Sequence, residues 1–302
     1  MNIFISANDK YIYPTKVMLT SFLANNPLEP HHIYFMHSSV QPENIKSLDQ
    51  IVTAHGSQFT AVQITADDFG IFPCSERFTI EVYYRFLIPI ILPETETRAM
   101  WMDVDLVVNG PIDEFYYQDL GGCCFAACQD IGTKGVYVNS GVICFDIAKM
   151  RQYRLEDYRD YYLTHNEEVF WPDQDILNGM FAGHIKVWDA AKWNVQIMGH
   201  RQISASDLKV VNQNAEIVHF VGFYKPWAKD YAHPAGHFWD RYHALAFHYS
   251  PAKTGIYLMV RRLHRLGLRT ARKLRIDDLK HALYQCTFLR KLVKTLKNLR
   301  SR

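Results

Sequence analysis

Segments with the pattern of β-strands alternate with segments that have helical spacing over the first 250 residues. The strand-like segments are residues 2–7, 31–38 and 57–64, and the helix-like segments between them are residues 13–26 and 42–56. A proline near the start of the first helix and a glycine at the end of the second suit those positions. Strands that alternate with helices of about 10 to 15 residues predict βαβ units, and therefore an α/β fold with a mixed, mostly parallel sheet and flanking helices.

The length and composition allow a large core and disfavour a membrane-spanning helix. The chain has 302 residues, of which 48% are hydrophobic and 21% are charged, so it can bury one large core or two smaller ones. The longest apolar run, residues 86–93, contains two prolines and is shorter than the roughly 18 residues of a spanning helix. The first residues lack the pattern of a signal peptide, so we predict a cytoplasmic protein.

The six cysteines do not form a disulfide framework or a Cys-x-x-Cys pair. This spacing suits a reducing compartment, and we predict that the cysteines are small core residues. Cys124 and Cys128 offer one alternative as zinc ligands, but no second pair with matching spacing accompanies them.

Basic residues concentrate near the carboxyl end of the sequence. Residues 253–302 contain 15 of the 33 Lys and Arg residues but only two of the 31 Asp and Glu residues. Two segments there, residues 256–265 and 289–299, have apolar side chains at helical spacing with Lys or Arg between them. We therefore divide the chain into a body, residues 1–250, and a basic amphipathic helical tail, residues 251–302.

Two interpretations of the tail are open, and a third, nucleic-acid binding, is disfavoured. The helix can pack on the body by its apolar stripe, or it can lie on an anionic membrane surface. We favour the membrane surface, with Tyr257 and Phe288 as interfacial anchors. We expect no nucleic-acid partner, because the tail lacks interleaved aromatic residues and a Gly-rich signature.

Two carboxylates directly follow a strand-like apolar run. Residues 99–102 are Ala-Met-Trp-Met, and Asp103 and Asp105 come next with Val104 between them. Ligands of mostly parallel sheets bind beyond the carboxyl ends of the strands, so we expect both aspartates in that crevice. We expect the strand to turn into a loop here, so that both carboxylates serve one divalent cation. A cation held by one or two carboxylates and by substrate phosphates is the usual arrangement for a diphosphate substrate.

Six segments in order resemble glycosyltransferase family 8, the retaining family that includes bacterial lipooligosaccharide galactosyltransferases and glycogenin. They are SANDKYI (6–12), YYRF (83–86), MWMDVDLVV (100–108), YVNSGVICFD (137–146), PDQDILN (172–178) and VHFVGFYKPW (218–227). The resemblance covers residues 2–231. It implies a single GT-A domain, which is a Rossmann-like fold, and a UDP-sugar donor.

The resemblance also implies a cation site and a donor site. Asp103, Asp105 and His219 would bind the cation, and an imidazole beside two carboxylates favours Mn²⁺, with Mg²⁺ as the alternative. The residues that the resemblance places against the donor are Ala7, Asn8, Tyr11, Arg85, Asp103, Val104, Asn139, Gly222 and Lys225. Taken alone, His219 suits a buried core histidine, and Asn139 suits a turn before Gly141.

Asp173 and Gln174 are the catalytic residues that the resemblance implies. Asp173 corresponds to a carboxylate that hydrogen-bonds sugar hydroxyls, and Gln174 to a residue on the ring face opposite the departing diphosphate. Because an amide oxygen is a poor nucleophile, we favour front-face attack by the acceptor hydroxyl over a covalent enzyme–sugar intermediate. Asp173 follows Pro172, so its structural alternative is a helix N-cap.

The expected function is α-linked transfer of galactose or glucose from a UDP-sugar to a glycan, in bacterial cell-surface polysaccharide or lipooligosaccharide synthesis. Transfer to a protein-linked glycan is the alternative, and an inactive nucleotide-sugar-binding module is a more remote one. The resemblance implies peripheral association with the inner face of the membrane, next to lipid-linked acceptors. We expect that removing the residues after Ser250 releases the protein from anionic vesicles while donor hydrolysis continues.

Overall fold

The computed structural model describes residues 1–65, 69–74 and 79–274, with side chains up to residue 269. Within these residues, strands β1 to β10 are Asn2–Ser6, His32–His37, Gln58–Gln63, Arg98–Met102, Leu106–Val108, Phe125–Gln129, Val138–Asp146, Ile185–Trp188, Val195–Gln196 and Ile217–His219. Helices α1 to α11 are Ile12–Asn25, Pro42–Thr53, Ile88–Ile91, Asp113–Tyr116, Ile147–Met150, Leu155–His165, Pro172–Met180, Ala190–Trp193, Ala205–Asn214, Gly236–Ala246 and Pro251–Leu274. Two 3₁₀ helices are Asp9–Tyr11 and Ile80–Leu87.

Seven strands form one sheet in the order β3-β2-β1-β4-β7-β6-β8. Strand β7 runs antiparallel to its neighbours β4 and β6, and the other neighbouring strands are parallel. The predicted α/β class with a mixed, mostly parallel sheet is therefore confirmed. The first three strands and the first two helices begin and end within three residues of their predicted positions.

Both faces of the inner strands of this sheet are buried. Successive side chains of a strand point to opposite faces, so each of these strands contributes to two apolar clusters. In β1, Phe4 belongs to one apolar cluster, while Ile3 and Ile5 belong to another. In β4, Trp101 lies in the cluster of Phe4, and Met100 in that of Ile3. These strands are therefore apolar almost throughout, and a one-residue slip would exchange the two faces.

A second sheet of three strands, in the order β5-β10-β9, continues from the carboxyl end of β4. The chain turns at Val104 and Asp105 and then enters β5. Strand β5 pairs antiparallel with β10, so that Leu106 lies opposite His219. Helices α1 and α10 pack over this sheet. The junction of the two sheets thus joins the end of β4, the turn after it and the end of β10.

Helix α11 packs on α10 through charged contacts. Asp240 of α10 has no exposed surface, and its carboxylate lies 2.9 Å from Nε of Arg261 and also pairs with Arg265. Nη2 of Arg261 donates a 3.0 Å hydrogen bond to the carbonyl oxygen of Pro226. These two arginines contact the body through charge and not through the apolar stripe of the sequence analysis, because a buried carboxylate requires charged partners.

Other residues of the tail bear on the membrane interpretation. Met259, Leu263 and Leu266 of α11 are exposed. The second amphipathic segment, residues 289–299, and Phe288 lie outside the described residues. No helix in the described ranges combines the length and apolarity needed to cross a bilayer. The division of the chain at residue 250 and the membrane-surface tail stay predictions.

The cysteines follow the prediction in part. Cys124, Cys128 and Cys144 are buried, whereas Cys74 is exposed because it lies in a loop. Cys124 and Cys128 belong to apolar clusters on opposite faces of the large sheet, so they cannot bind one zinc ion together. Cys286 lies outside the described residues.

Candidate active site

Three side chains with metal-ligand chemistry meet at the junction of the two sheets. Asp103 directly follows β4, and its backbone N–H donates to the carbonyl oxygen of Gly141 in β7 at 2.8 Å. The predicted turn follows, and the N–H of Phe220 donates to the carbonyl oxygen of Asp105 at 3.0 Å. The pairing of β5 with β10 thereby fixes His219 beside Asp105, 114 positions earlier in the chain.

One ligand atom from each of Asp103, Asp105 and His219 lies within 4.8 Å of the other two. Nε2 of His219 is 3.0 Å from Oδ1 of Asp105 and 3.9 Å from Oδ2 of Asp103. The close approach of His219 and Asp103 to the backbone of β7 requires glycine at position 141. A Cβ on Gly141 would lie 2.2 Å from Cε1 of His219 and 2.8 Å from Oδ2 of Asp103. Two carboxylates and an imidazole suit a divalent cation such as Mn²⁺, so the residues present fit the predicted metal.

Asp103 is oriented by buried groups behind it. Its Oδ1 accepts hydrogen bonds from Nε1 of Trp101 at 2.7 Å and from Nη2 of Arg85 at 3.1 Å. The guanidinium carbon of Arg85 lies 4.3 Å from the ring centre of Trp101, a cation–π arrangement. With Oδ1 held in this way, Oδ2 faces His219.

Arg85 links the metal-ligand cluster to α7. Its side chain is 3% exposed and lies between two carboxylates, with Nη2 at Asp103 and Nη1 2.9 Å from Oδ2 of Asp173. Nη1 also donates to the carbonyl oxygen of Ser140. The pKa of Asp173 lies above its usual value. Burial is the largest cause of this increase, the guanidinium of Arg85 lowers the pKa, and the nearby carboxylate of Asp103 raises it. One guanidinium thus holds a metal-site carboxylate and a catalytic candidate in fixed positions.

Asp173 is not the N-cap of α7, so that alternative is wrong. The helix begins at Pro172, and its N-cap is Trp171. The carboxylate that binds this end of the helix is Asp175, whose Oδ2 accepts hydrogen bonds from the N–H groups of Phe170 at 2.6 Å and Trp171 at 2.5 Å. The side chain of Asp173 pairs with Arg85.

Lys225 contacts the other oxygen of Asp105. Its Nζ pairs with Oδ2 of that residue and donates to the carbonyl oxygen of Phe220 at 2.7 Å. Burial opposes ionisation of Asp105, but Lys225 and His219 outweigh this effect and hold the pKa of Asp105 well below its usual range.

Gly222 has a φ of 81°, and no described atom lies within 4 Å of a Cβ at this position. Backbone conformation therefore accounts for the glycine.

Gln174 and Asn139 form a buried pair of carboxamides. Oε1 of Gln174 accepts hydrogen bonds from the N–H of Ser140 at 3.1 Å and from Nδ2 of Asn139 at 3.2 Å. Oδ1 of Asn139 accepts one from the N–H of Gly141 at 3.1 Å. Nε2 of Gln174 donates to the hydroxyl of Tyr137 at 3.3 Å. Asn139 lies within β7, so its interpretation as a turn residue is wrong.

Asn194 is a site residue that the sequence reasoning missed. It lies between α8 and β9, has no exposed surface, and makes two 3.0 Å hydrogen bonds, one with Oδ1 of Asn139 and one with Nδ1 of His219. The sequence offered one signal: Asn194 lies between the apolar residues Trp193 and Val195. A polar side chain that is buried among apolar residues needs hydrogen-bond partners, and this need could have marked it.

Two further residues near these amides were also missed. Oδ1 of Asp130 accepts a 3.0 Å hydrogen bond from Nδ2 of Asn139, and burial raises the pKa of this carboxyl despite that bond. The hydroxyl of Tyr137 donates to Asp175, which binds the start of α7. Asp130 and Tyr137 lie at the two ends of the loop between β6 and β7. No pattern in the sequence indicates which residues they contact.

The residues predicted to bind the nucleotide follow β1, whose neighbour in the sheet is β4. Ala7 is buried, and Asn8 caps the 3₁₀ helix that carries Tyr11. Tyr11 is 38% exposed, and Trp227 lies edge-on to it with ring centres 6.2 Å apart. Val104 is buried between the two aspartates. An exposed tyrosine ring at this edge can stack on a base.

Comparison with known sequences identifies a family. The family model described as "Glycosyl transferase family 8" matches residues 2–231. The lipopolysaccharide 1,2-glucosyltransferase of Escherichia coli (strain K12) is 21% identical over 272 residues, covering 84% of this chain and 79% of that protein. General stress protein A of Bacillus subtilis (strain 168) is 26% identical over 279 residues, covering 82% of this chain and 92% of that protein.

Solved structures share the fold. The galactosyltransferase LgtC, in complex with donor and acceptor sugar analogs, superposes with a TM-score of 0.70 at 20% identity, covering 81% of this chain and 96% of that one. The glycosyltransferase GlyE of Streptococcus pneumoniae TIGR4 gives a TM-score of 0.64 at 18% identity, covering 85% of this chain and 63% of that one. At these identities the likeness establishes the fold, and the predicted GT-A architecture is confirmed.

Proposed function

Because the chain belongs to glycosyltransferase family 8, we propose that it transfers a hexose, galactose or glucose, from a UDP-sugar to a glycan acceptor with an α linkage. The observation that supports this most directly is the continuous contact from the cluster of Asp103, Asp105 and His219 through Arg85 to Asp173. It joins groups that suit a metal diphosphate to groups that suit a sugar, at the carboxyl ends of the strands.

The diphosphate side of the proposal depends on four residues. A bound divalent cation would supply Lewis-acid stabilisation of the negative charge that develops on the departing UDP. Asp103, Asp105 and His219 would hold that cation. The ammonium of Lys225, beside Asp105, adds a positive charge where the diphosphate would lie.

The sugar side of the proposal depends on Asp173 and Gln174. Asp173, fixed by Arg85, accepts hydrogen bonds from sugar hydroxyls. Gln174 lies against the ring, and its Oε1 already accepts hydrogen bonds from Ser140 and Asn139. An amide oxygen with two donors is a still poorer nucleophile. This supports front-face attack, in which the acceptor hydroxyl approaches from the side of the leaving group and Gln174 stabilises positive charge on the ring.

The first test is calorimetric titration of UDP with and without Mn²⁺, followed by a screen of UDP-sugars for slow release of UDP. We expect Mn²⁺-dependent UDP binding and hydrolysis of one UDP-hexose, which would also name the sugar. Asp105→Asn serves as the control and should lose the Mn²⁺ dependence. An affinity for UDP that is the same with and without Mn²⁺ would contradict the proposal, and so would the absence of UDP binding under both conditions. Mn²⁺-dependent binding without hydrolysis of any donor would favour an inactive nucleotide-sugar-binding module.

We propose a glycan of the bacterial cell surface as the acceptor, because relatives such as the Escherichia coli protein described above are lipopolysaccharide glucosyltransferases. A membrane-linked acceptor agrees with the exposed Met259, Leu263 and Leu266 of α11 and with the exposed Arg262 between them. The proposed location is the cytoplasmic face of the membrane.

Vesicle sedimentation tests the membrane contact. The protein should sediment with vesicles that contain phosphatidylglycerol and stay in solution with pure phosphatidylcholine. The double variant Leu263→Ser and Leu266→Ser should weaken sedimentation, whereas the exposed Leu245→Ser of α10 should not. Equal sedimentation of all three proteins would contradict a role of α11. Transfer to a glycopeptide and not to a lipid-linked glycan would favour the protein-linked alternative.

A further inference from the structure

We propose that Asn194 is a positioning residue that fixes the tautomer of His219 and couples the cation site to the amides at the sugar. This inference rests on the proposed function, because it concerns the ligand set Asp103, Asp105 and His219. Asn194 lies between α8 and β9, and its side chain hydrogen-bonds Asn139 and His219. Its effect must therefore pass through its two partners.

Backbone N–H groups of β7 determine the orientation of every amide in this network. An N–H can only donate, so the groups facing the N–H of Ser140 and of Gly141 must be acceptors. These are Oε1 of Gln174 and Oδ1 of Asn139. Nδ2 of Asn139 then points to Oε1 of Gln174 and to Oδ1 of Asp130, both of which accept. No flipped orientation of Asn139 satisfies all of these contacts.

The orientation of Asn139 determines that of Asn194, and Asn194 determines the tautomer. Because Oδ1 of Asn139 is an acceptor, the atom of Asn194 that faces it at 3.0 Å must be the donor Nδ2. The other end of the amide, Oδ1, then faces Nδ1 of His219 at 3.0 Å and requires a proton there. A histidine that carries its proton on Nδ1 presents the lone pair of Nε2, the nitrogen that faces Asp103 and Asp105.

Burial makes this constraint strict. Asn194 has no exposed surface and Asn139 and His219 are nearly as buried, so water cannot replace a lost partner without a structural change. The same chain of bonds continues through Asn139 to Gln174. A change in the orientation of the Asn194 amide therefore affects both the metal ligand and the residue proposed to stabilise the sugar.

Two substitutions separate these effects. Asn194→Ala removes the acceptor at Nδ1 of His219, and we expect the affinity for Mn²⁺ to fall about 10- to 100-fold, the usual effect of losing such a partner. Asn194→Asp keeps an acceptor for Nδ1 but places a second carboxylate oxygen against Oδ1 of Asn139. For this variant we expect a Mn²⁺ affinity within about 3-fold of the original protein, because the partner of His219 is kept. We also expect its kcat for UDP-sugar hydrolysis to fall at least about 10-fold, since Asn139 and Gln174 are displaced.

Free Mn²⁺ is measured by electron paramagnetic resonance in the presence of UDP, with the melting temperature of each variant recorded alongside. Asn26→Ala is the matched control: it also removes a buried carboxamide, whose side-chain partners, the carbonyl oxygen of Phe22 and the N–H of Ile112, do not belong to this network. It should lower the melting temperature and leave the Mn²⁺ affinity unchanged. An Asn194→Ala protein that binds Mn²⁺ normally, or an Asn194→Asp protein that keeps full kcat, would overturn the inference. Failure of the unsubstituted protein to bind Mn²⁺ would instead overturn the proposed function.

Discussion

Replacing Arg265 with methionine tests whether α11 is an integral part of the body. Its guanidinium pairs with Oδ2 of Asp240, a carboxylate without exposed surface, while Arg261 binds Oδ1 at 2.9 Å. Removing one partner of a buried ion pair costs about 3 to 5 kcal/mol. Because Arg261 remains, we expect the lower limit, about 3 kcal/mol, which lowers the melting temperature of a chain of this size by roughly 5 °C.

Differential scanning fluorimetry measures this shift, and Arg262→Met is the control. Arg262 is the exposed neighbour on the same helix, and its substitution should change the free energy of unfolding by less than about 0.5 kcal/mol. Equal melting temperatures for Arg265→Met and Arg262→Met would refute the reasoning.

The contacts of α11 with the body also alter the expectation for a chain that ends at Ser250. Arg261 bonds the carbonyl oxygen of Pro226, next to Lys225, so we expect this truncation to weaken UDP binding as well.

Three further substitutions test the site. Gln174→Ala should lower kcat by at least about 100-fold, as loss of a transition-state contact does, with UDP affinity by calorimetry nearly unchanged; a large loss of UDP binding would give Gln174 another role. Lys225→Met should raise the Kd for UDP about 10-fold or more, because a charge-assisted contact is lost, and an unchanged Kd would place the diphosphate elsewhere. Gly141→Ala should reduce Mn²⁺ affinity at least about 10-fold, because the new Cβ displaces His219; circular dichroism checks the fold, and normal Mn²⁺ binding would contradict the ligand set.

The sheet was largely predictable because its strands are short, apolar and separated by helices or turns. The direction of β7 was not predicted. A loop, residues 130–137, joins it to β6, and a connection without a helix allows antiparallel pairing. The alternation of strands and helices specifies which segments form the sheet, but the connection between two strands determines their relative direction.

The candidate site was predictable where its residues belong to compact motifs. Asp103 and Asp105 are recognisable because they follow an apolar strand, and His219 because of the segment around it. The ion pair between Arg85 and Asp173 joins residues from separate motifs, and no local pattern in the sequence connects them. Asn194 has no motif at all, since its role depends on partners far away in the sequence.

The long separation between the metal-ligand residues has a consequence for synthesis of the chain. His219 leaves the ribosome 114 residues after Asp105, an interval of roughly 6 to 23 seconds at about 5 to 20 residues per second. Arg85 and Asp103 are present throughout that interval, and Asp173 follows 68 residues after Asp105, still 46 residues before His219. We expect Arg85 to neutralise these carboxylates in the growing chain, so that the large sheet can form before a complete cation site exists.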